Sequence, residues 1–169
     1  MNLRAMHDLA WLEDHIGYHF EEPELLRRAL IHPSAEGAKG VTPEDVAHAR
    51  RLSWLGDSIL DMVVSDKLYS LFPTATKDEL HHWCVDLTNN KTLGRVALGF
   101  GLEEAMAIGK SVQQNLVAKD KHKMLAGTIE AIIGAVFVDG GIQKARGVVR
   151  RVLAEDFKKL LEHVEVAEA

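Results

Sequence analysis

The chain has 169 residues, of which 47% are hydrophobic and 27% charged, and a formal net charge of −5. That length and balance suit one globular domain with a buried core, and the acidic excess argues against binding nucleic acid through bulk positive charge. Cys84 is the only cysteine, which rules out an intramolecular disulfide, fits no zinc spacing and suits a reducing compartment.

Met6, Leu9, Ala10, Leu12 and Ile16 recur at helical spacing, and Gly17 closes that first helix. The preceding residues lack the apolar stretch of a secretion signal. No run approaches the roughly 18 apolar residues of a membrane span. The chain therefore reads as a soluble intracellular protein with no membrane partner. A second helix starts at Glu21-Glu22-Pro23-Glu24, with proline and acids in its first turn, and stops at His32-Pro33. Residues 34–42 read as a loop.

Thr42-Pro43-Glu44-Asp45 is a capped helix start, and the helix runs from Pro43 to Leu71. Gly56 lies inside it, and an interior glycine costs roughly 1 kcal/mol relative to alanine. A close backbone approach by a neighbouring helix would account for it. Thr76 and Glu79 form a capping box for the next helix, which breaks near Asn89-Asn90 and resumes to Gly99. Residues 101–109 form a short connection, and 110–119 a polar, exposed one.

From Lys121 to Val138 a broad apolar face includes Leu125, Ile129, Ile132 and Ile133, and Asp139-Gly140-Gly141 ends that helix. Residues 142–164 form a last amphipathic helix. No strand alternation and no internal repeat is visible. The fold class is all-α, a single domain over residues 1–169.

Two acids stand out. Asp57 and Glu130 each lie among apolar neighbours on a long helix, and buried carboxylates are uncommon unless paired or metal-bound. On facing helices they would offer oxygen ligands to a hard cation. Asp61, four residues after Asp57, shares its helix face. The structural alternative for Asp57 and Glu130 is a cap or a salt bridge, and for Asp61 a solvent-exposed acid. Cys84 reads as a small buried hydrophobe, and His81 and His82 as solvent-exposed. Trp11, Trp54 and Trp83 read as core or interface aromatics.

The wording around these acids carries a resemblance. Arg51-Leu52-Ser53-Trp54-Leu55-Gly56-Asp57-Ser58-Ile59-Leu60 resembles the ribonuclease III signature E-R-L-E-F-L-G-D-S-V-L. The segment from Ala126 to Gly141 is similar to A-D-x-x-E-A-x-I-G-A-x-x-x-D-G-G, and Leu30-Ile31-His32-Pro33-Ser34 to L-T-H-x-S. Leu87-Thr88-Asn89-Asn90-Lys91-Thr92-Leu93 resembles V-S-N-x-T-L. The segments fall in family order over roughly residues 8–162.

The resemblance implies an all-α ribonuclease III endonuclease-domain fold that pairs as a homodimer, or as a heterodimer with a complete partner. It implies cleavage of double-stranded RNA by magnesium or manganese held on four acids. Asp57 and Glu130 match two of these acids and are the expected metal ligands. The other two positions fall on Ser53 and Gly127, and the acid that opens the signature falls on Arg50. Glu130, Asp57 and Lys123 are the candidate catalytic residues. Lys121, Lys123 and Asn90 are the candidate RNA contacts, the two lysines within a basic cluster that includes Lys119 and His122. Trp54 takes the family's dimer-interface position. No double-stranded-RNA-binding domain is expected after Leu161.

Two functions follow from this. The first is a ribonuclease III-type domain acting on double-stranded or structured RNA in RNA processing, with metal-dependent cleavage weakened or lost. The second is a non-catalytic homologue serving as a dimeric RNA-binding or structural module of a ribonucleoprotein. A generic helical interaction domain would leave the ordered motif matches unexplained.

Overall fold

A computed structural model describes residues 9–110, 112 and 117–168. Helix α1 spans Ala10–Ile16 and ends where Gly17 takes φ 74°. The Met6 end of the first expected helix lies outside the described residues. Helix α2 spans Pro23–Ala29 with proline in its first turn. The expected loop after it opens with a 3₁₀ turn at Pro33–Ala35.

Helix α3 spans Pro43–Leu71, and the anticipated Thr42 cap is one half of a reciprocal capping box. Thr42 Oγ1 accepts the Asp45 backbone N–H at 3.1 Å, and Asp45 Oδ2 accepts the Thr42 N–H at 3.0 Å. Helix α4, Lys77–Thr88, has the same box built from Thr76 and Glu79. Asn89 then caps helix α5, Asn90–Gly99, by accepting the Thr92 N–H at 2.9 Å. The expected break at Asn89-Asn90 is thus a capped helix start.

Asp139-Gly140-Gly141 ends a helical segment, as expected. Helix α6, Ala118–Val152, is two segments that meet at Gly141, whose φ 78° and ψ −178° are not helical. Glycine adopts that conformation without a Cβ penalty, so the chain turns there and resumes at once. A second break, inside the last helix expected at 142–164, comes at Leu153, whose N–H bonds the carbonyls of Val149 and Arg151 before helix α7, Ala154–Glu168. The apolar pattern continues across this point, so periodicity alone hides it. Of the connection expected at 110–119, residues 111 and 113–116 lie outside the described residues, and Val117 is exposed.

Asp139 has a job at the kink. Its carboxylate accepts the Tyr18 hydroxyl at 2.7 Å and the backbone N–H groups of Glu21 and Glu22 at 2.8 and 3.0 Å. This ties the start of α2 to α6. Among the described residues there is no sheet, only one parallel bridge between Ile31 and Ala107.

Helix α6 is the centre of the fold. By length and composition its Asp120–Val152 stretch is apolar enough to cross a bilayer, contrary to the expectation of no such run. More than half of its most apolar 18 residues are buried in the domain, where α3, α5 and α2 pack against it. Leu125, Ala126, Ile133 and Val136 are almost fully buried against Leu12, Leu60, Val63 and Leu93 from the surrounding helices. The closest approach is the crossing of α3 and α6. A Cβ on Gly56 would stand 1.7 Å from the Glu130 carbonyl oxygen, and one on Gly134 would stand 2.2 Å from that of Leu52. Only glycine lets the two backbones meet this closely, which accounts for a glycine inside α3.

Candidate active site

The crossing sets what stands beside it. On α3, Arg50, Ser53, Asp57 and Asp61 recur at three- and four-residue spacing and share one side of the helix. On α6, Asp120, Lys123, Gly127 and Glu130 do the same. Because the backbones touch at Gly56 and Gly134, the adjacent turns bring Ser53 to Glu130. The Ser53 Oγ donates to Glu130 Oε2 at 2.9 Å. Sequence reasoning assigned Ser53 only as a lost ligand and missed this contact.

Glu130 is half-buried, and burial pushes its carboxyl up to about 7. The Ser53 hydrogen bond works in the opposite direction, while Asp57 and Asp61 add repulsion. Asp57 corrects the expectation of a buried acid, because the residue is exposed. Its carboxyl is nevertheless raised, first by partial shelter and then by the charge of Asp61. Asp61 is also exposed. The three acids thus feel one another across one site. A clustered negative charge is the electrostatic setting a hard cation relieves. Among the described residues, no three His, Cys, Asp or Glu side chains converge as a ready-made metal cluster. The donor set fits one ion that keeps much of its water, not a closed cage.

The remaining expected residues separate. Lys123 is exposed and borders the site. Lys121 points elsewhere, with its Nζ on Glu103 Oε2 at 2.6 Å. Asn90 is exposed at the first turn of α5, and the side chain of Lys119 lies outside the described residues. His122 packs its backbone against Gly94, where a Cβ would meet its Cα at 2.6 Å. His81 and His82 are exposed, as expected. Cys84 is half-buried with its thiol pushed up by burial, which is not an activated nucleophile. Trp83 packs on Phe72 with ring centroids 4.7 Å apart, whereas Trp54 is 73% exposed and so lies outside this chain's core.

A cavity of about 410 Å³ opens beside Ser53, lined by residues of α2, α3 and α6 and by the Ile31–Pro33 segment. Arg50, Lys123 and Asp120 are among its lining residues. So is His32, which is held below the usual imidazole range by burial and then by the charge of Arg50. Gly127 leaves the cavity open, since a Cβ there would meet only Ser53 Oγ, at 3.8 Å.

A family model described as ribonuclease-III-like matches residues 22–157, which include both crossing helices and the whole site. The chain belongs to that family. The Ribonuclease 3 of Bdellovibrio bacteriovorus is 38% identical over 140 residues, covering 83% of this chain and 58% of the relative. The Ribonuclease 3 of Methylocella silvestris is 39% identical over 147 residues, covering 87% of this chain and 59% of the relative. The chain thus spans less than two thirds of the length of these relatives. The nuclease domain of Campylobacter jejuni ribonuclease III superposes with a TM-score of 0.76 at 28% identity, over 89% of this chain and 99% of that one. That structure is described as showing flexibility in a region involved in dimer formation.

The ribonuclease III fold thus explains which residues face one another here. His32 and Arg50 lay outside the expected site, although both belong to segments carrying the family resemblance. The spacing of Arg50, Ser53 and Asp57 along α3 was the available signal.

Proposed function

We propose that this ribonuclease-III-like domain acts on double-stranded or structured RNA, and that it hydrolyses duplex RNA slowly or not at all. The observation that carries the reading is the hydrogen bond between Ser53 and Glu130. In the family pattern a glutamate stands at position 53 and an aspartate at position 127. Here a neutral hydroxyl meets Glu130, and position 127 has no side chain. Two of four ligand carboxylates are absent, which supports occupancy by one magnesium or manganese ion and not by a compensated pair.

Such an ion, when bound, supplies activation of a water and relief of the charge that develops on phosphate oxygens. The chain's own residues have narrower roles. Glu130 and Asp57 are the anionic ligands, and Ser53 orients the Glu130 carboxylate. Lys123, exposed at the rim, offers a positive charge to the RNA backbone. Lys121 is paired with Glu103 and has to give up that partner to do the same. Asn90 remains available on the surface.

Pairing of two copies belongs to the same proposal. Trp54, Met62 and Tyr69 lie on one side of α3 and are 73%, 42% and 76% exposed. A face of large apolar groups at helical spacing suits an interface.

The test is electrophoretic, with long duplex RNA, magnesium, and the wild-type and Glu130→Ala proteins. Binding of the duplex with little or no cleavage is the expected result. Rapid cleavage that Glu130→Ala abolishes would show a complete nuclease and refute the weakened site. No duplex binding at all would refute the RNA reading.

A further inference from the structure

The cavity beside Ser53 has features that a carboxylate metal site does not use. Its walls are mainly apolar, with Ala29, Ile31, Ala49, Met124 and Ala131 among them. Its volume, about 410 Å³, falls within the range of small-molecule sites. Gly127 leaves it open, since a Cβ there would meet only Ser53 Oγ.

One lining residue, His32, has a defined tautomer. His32 Nδ1 accepts the backbone N–H of Ser34 at 3.2 Å and stands 2.7 Å from Ser34 Oγ. That hydroxyl oxygen in turn accepts the Gly109 N–H at 2.9 Å. A ring nitrogen that accepts a backbone N–H carries no proton, so neutral His32 carries its proton on Nε2. Among the described residues Nε2 has no partner. The bridge between Ile31 and Ala107 holds this segment in place, with the His32 N–H on the Ala107 carbonyl at 3.0 Å.

Two cations stand at the rim. Arg50 and Lys123 are exposed, line the cavity, and have no ion-pair partner among the described residues. Asp120 is the one acid in the lining. Lys121, by contrast, has its charge matched by Glu103. Apolar walls, one N–H donor and two free cations at the mouth complement a flat heteroaromatic ring joined to a phosphate.

We propose that this cavity binds a single nucleotide, its base between the apolar walls with a ring acceptor on His32 Nε2–H, and its phosphate between Arg50 and Lys123. The nucleotide comes either from solution or from RNA as an extrahelical residue. Extrusion is cheapest for a base that is already unpaired, so a single-nucleotide bulge is the RNA form that fills the site. The RNA source rests on the proposed function, whereas the nucleotide pocket itself does not.

Two titrations of the whole chain test this, one with the four nucleoside monophosphates against ribose 5-phosphate and inorganic phosphate. The other uses duplex RNAs of equal length with and without a one-nucleotide bulge. At least one monophosphate, or the bulged duplex, is expected to bind about tenfold more tightly than its base-free or unbulged counterpart. Gly127→Leu, which fills the cavity, is expected to erase that difference. Arg50→Ala with Lys123→Ala, at exposed positions, weakens the same binding and serves if the leucine variant fails to fold. A preference confined to monophosphates identifies a free nucleotide, and one confined to the bulge identifies RNA. No base-dependent binding in either titration, or a dependence that survives both sets of substitutions, overturns the proposal. Unbulged duplex binding without base dependence refutes only this site. Monophosphate binding without any duplex binding refutes only the RNA reading.

Discussion

Gly134 and Gly127 stand two turns apart on the same side of α6, yet they serve opposite ends. At Gly134, as at its counterpart Gly56 on α3, there is no room for a methyl group, because a backbone carbonyl occupies the space. At Gly127 the space is open and only Ser53 Oγ comes near. One pair of glycines lets two helices touch. The other glycine leaves a vacancy where the family pattern has an acid. Identical residues one short stretch apart thus report packing in one place and chemistry in the other, and only the neighbouring helix tells them apart.

The comparison can be broken most forcefully at the crossing. Gly56→Ala is expected to cost about 3 kcal/mol or more, because a methyl 1.7 Å from a carbonyl oxygen forces the helices apart. Urea denaturation measures it, and a neutral outcome would mean that the crossing is looser than described.

The next effect is electrostatic. The Glu130 carboxyl is raised from 4.5 to about 7 in the folded chain. A carboxyl raised on folding stabilises the fold fully below about pH 4.5, and that contribution is lost as pH rises through 7. The wild type is therefore expected to lose on the order of 1–2 kcal/mol between pH 4.5 and 8 from this group, allowing for its partial exposure. Glu130→Gln should flatten the slope and be the more stable protein at pH 8, measured without divalent cations. A parallel pH dependence in both proteins would remove Glu130 as its source.

Smaller changes separate the two elements of the site. Ser53→Ala removes the donor to Glu130 and is expected to cost about 1 kcal/mol at pH 8 and less at pH 5. Equal losses at both pH values would assign the serine to packing. Gly127→Ala is expected to stabilise the helix by about 0.5–1 kcal/mol, the ordinary gain for an interior glycine with free space. Destabilisation there would mean that position 127 is as crowded as position 134.

Much of this was legible before any coordinates. Thr42, Thr76 and Asn89 mark helix starts by side chains that bond their own backbone, a local event that sequence displays directly. Gly56 was readable as a close approach because an interior glycine has a known cost. The interruption at Gly141 is legible too, because Asp139-Gly140-Gly141 is a helix-ending signal. The break at Leu153 is not, since the apolar pattern runs through it and only the backbone conformation distinguishes it. Asp57 misled for a related reason. Its sequence neighbours Leu52, Gly56, Ile59 and Leu60 are buried, whereas Asp57 itself is exposed. The cavity was the least legible feature, since it depends on the bridge at Ile31 and on three helices meeting.

The central proposal is that Ser53 and Gly127 limit catalysis at this site. Single-turnover cleavage of duplex RNA in magnesium by the Ser53→Glu, Gly127→Asp double variant tests it most directly. The account predicts a rate at least about tenfold above wild type, lost again when Glu130→Gln is added. A double variant no faster than wild type, or a rise that survives Glu130→Gln, would contradict it.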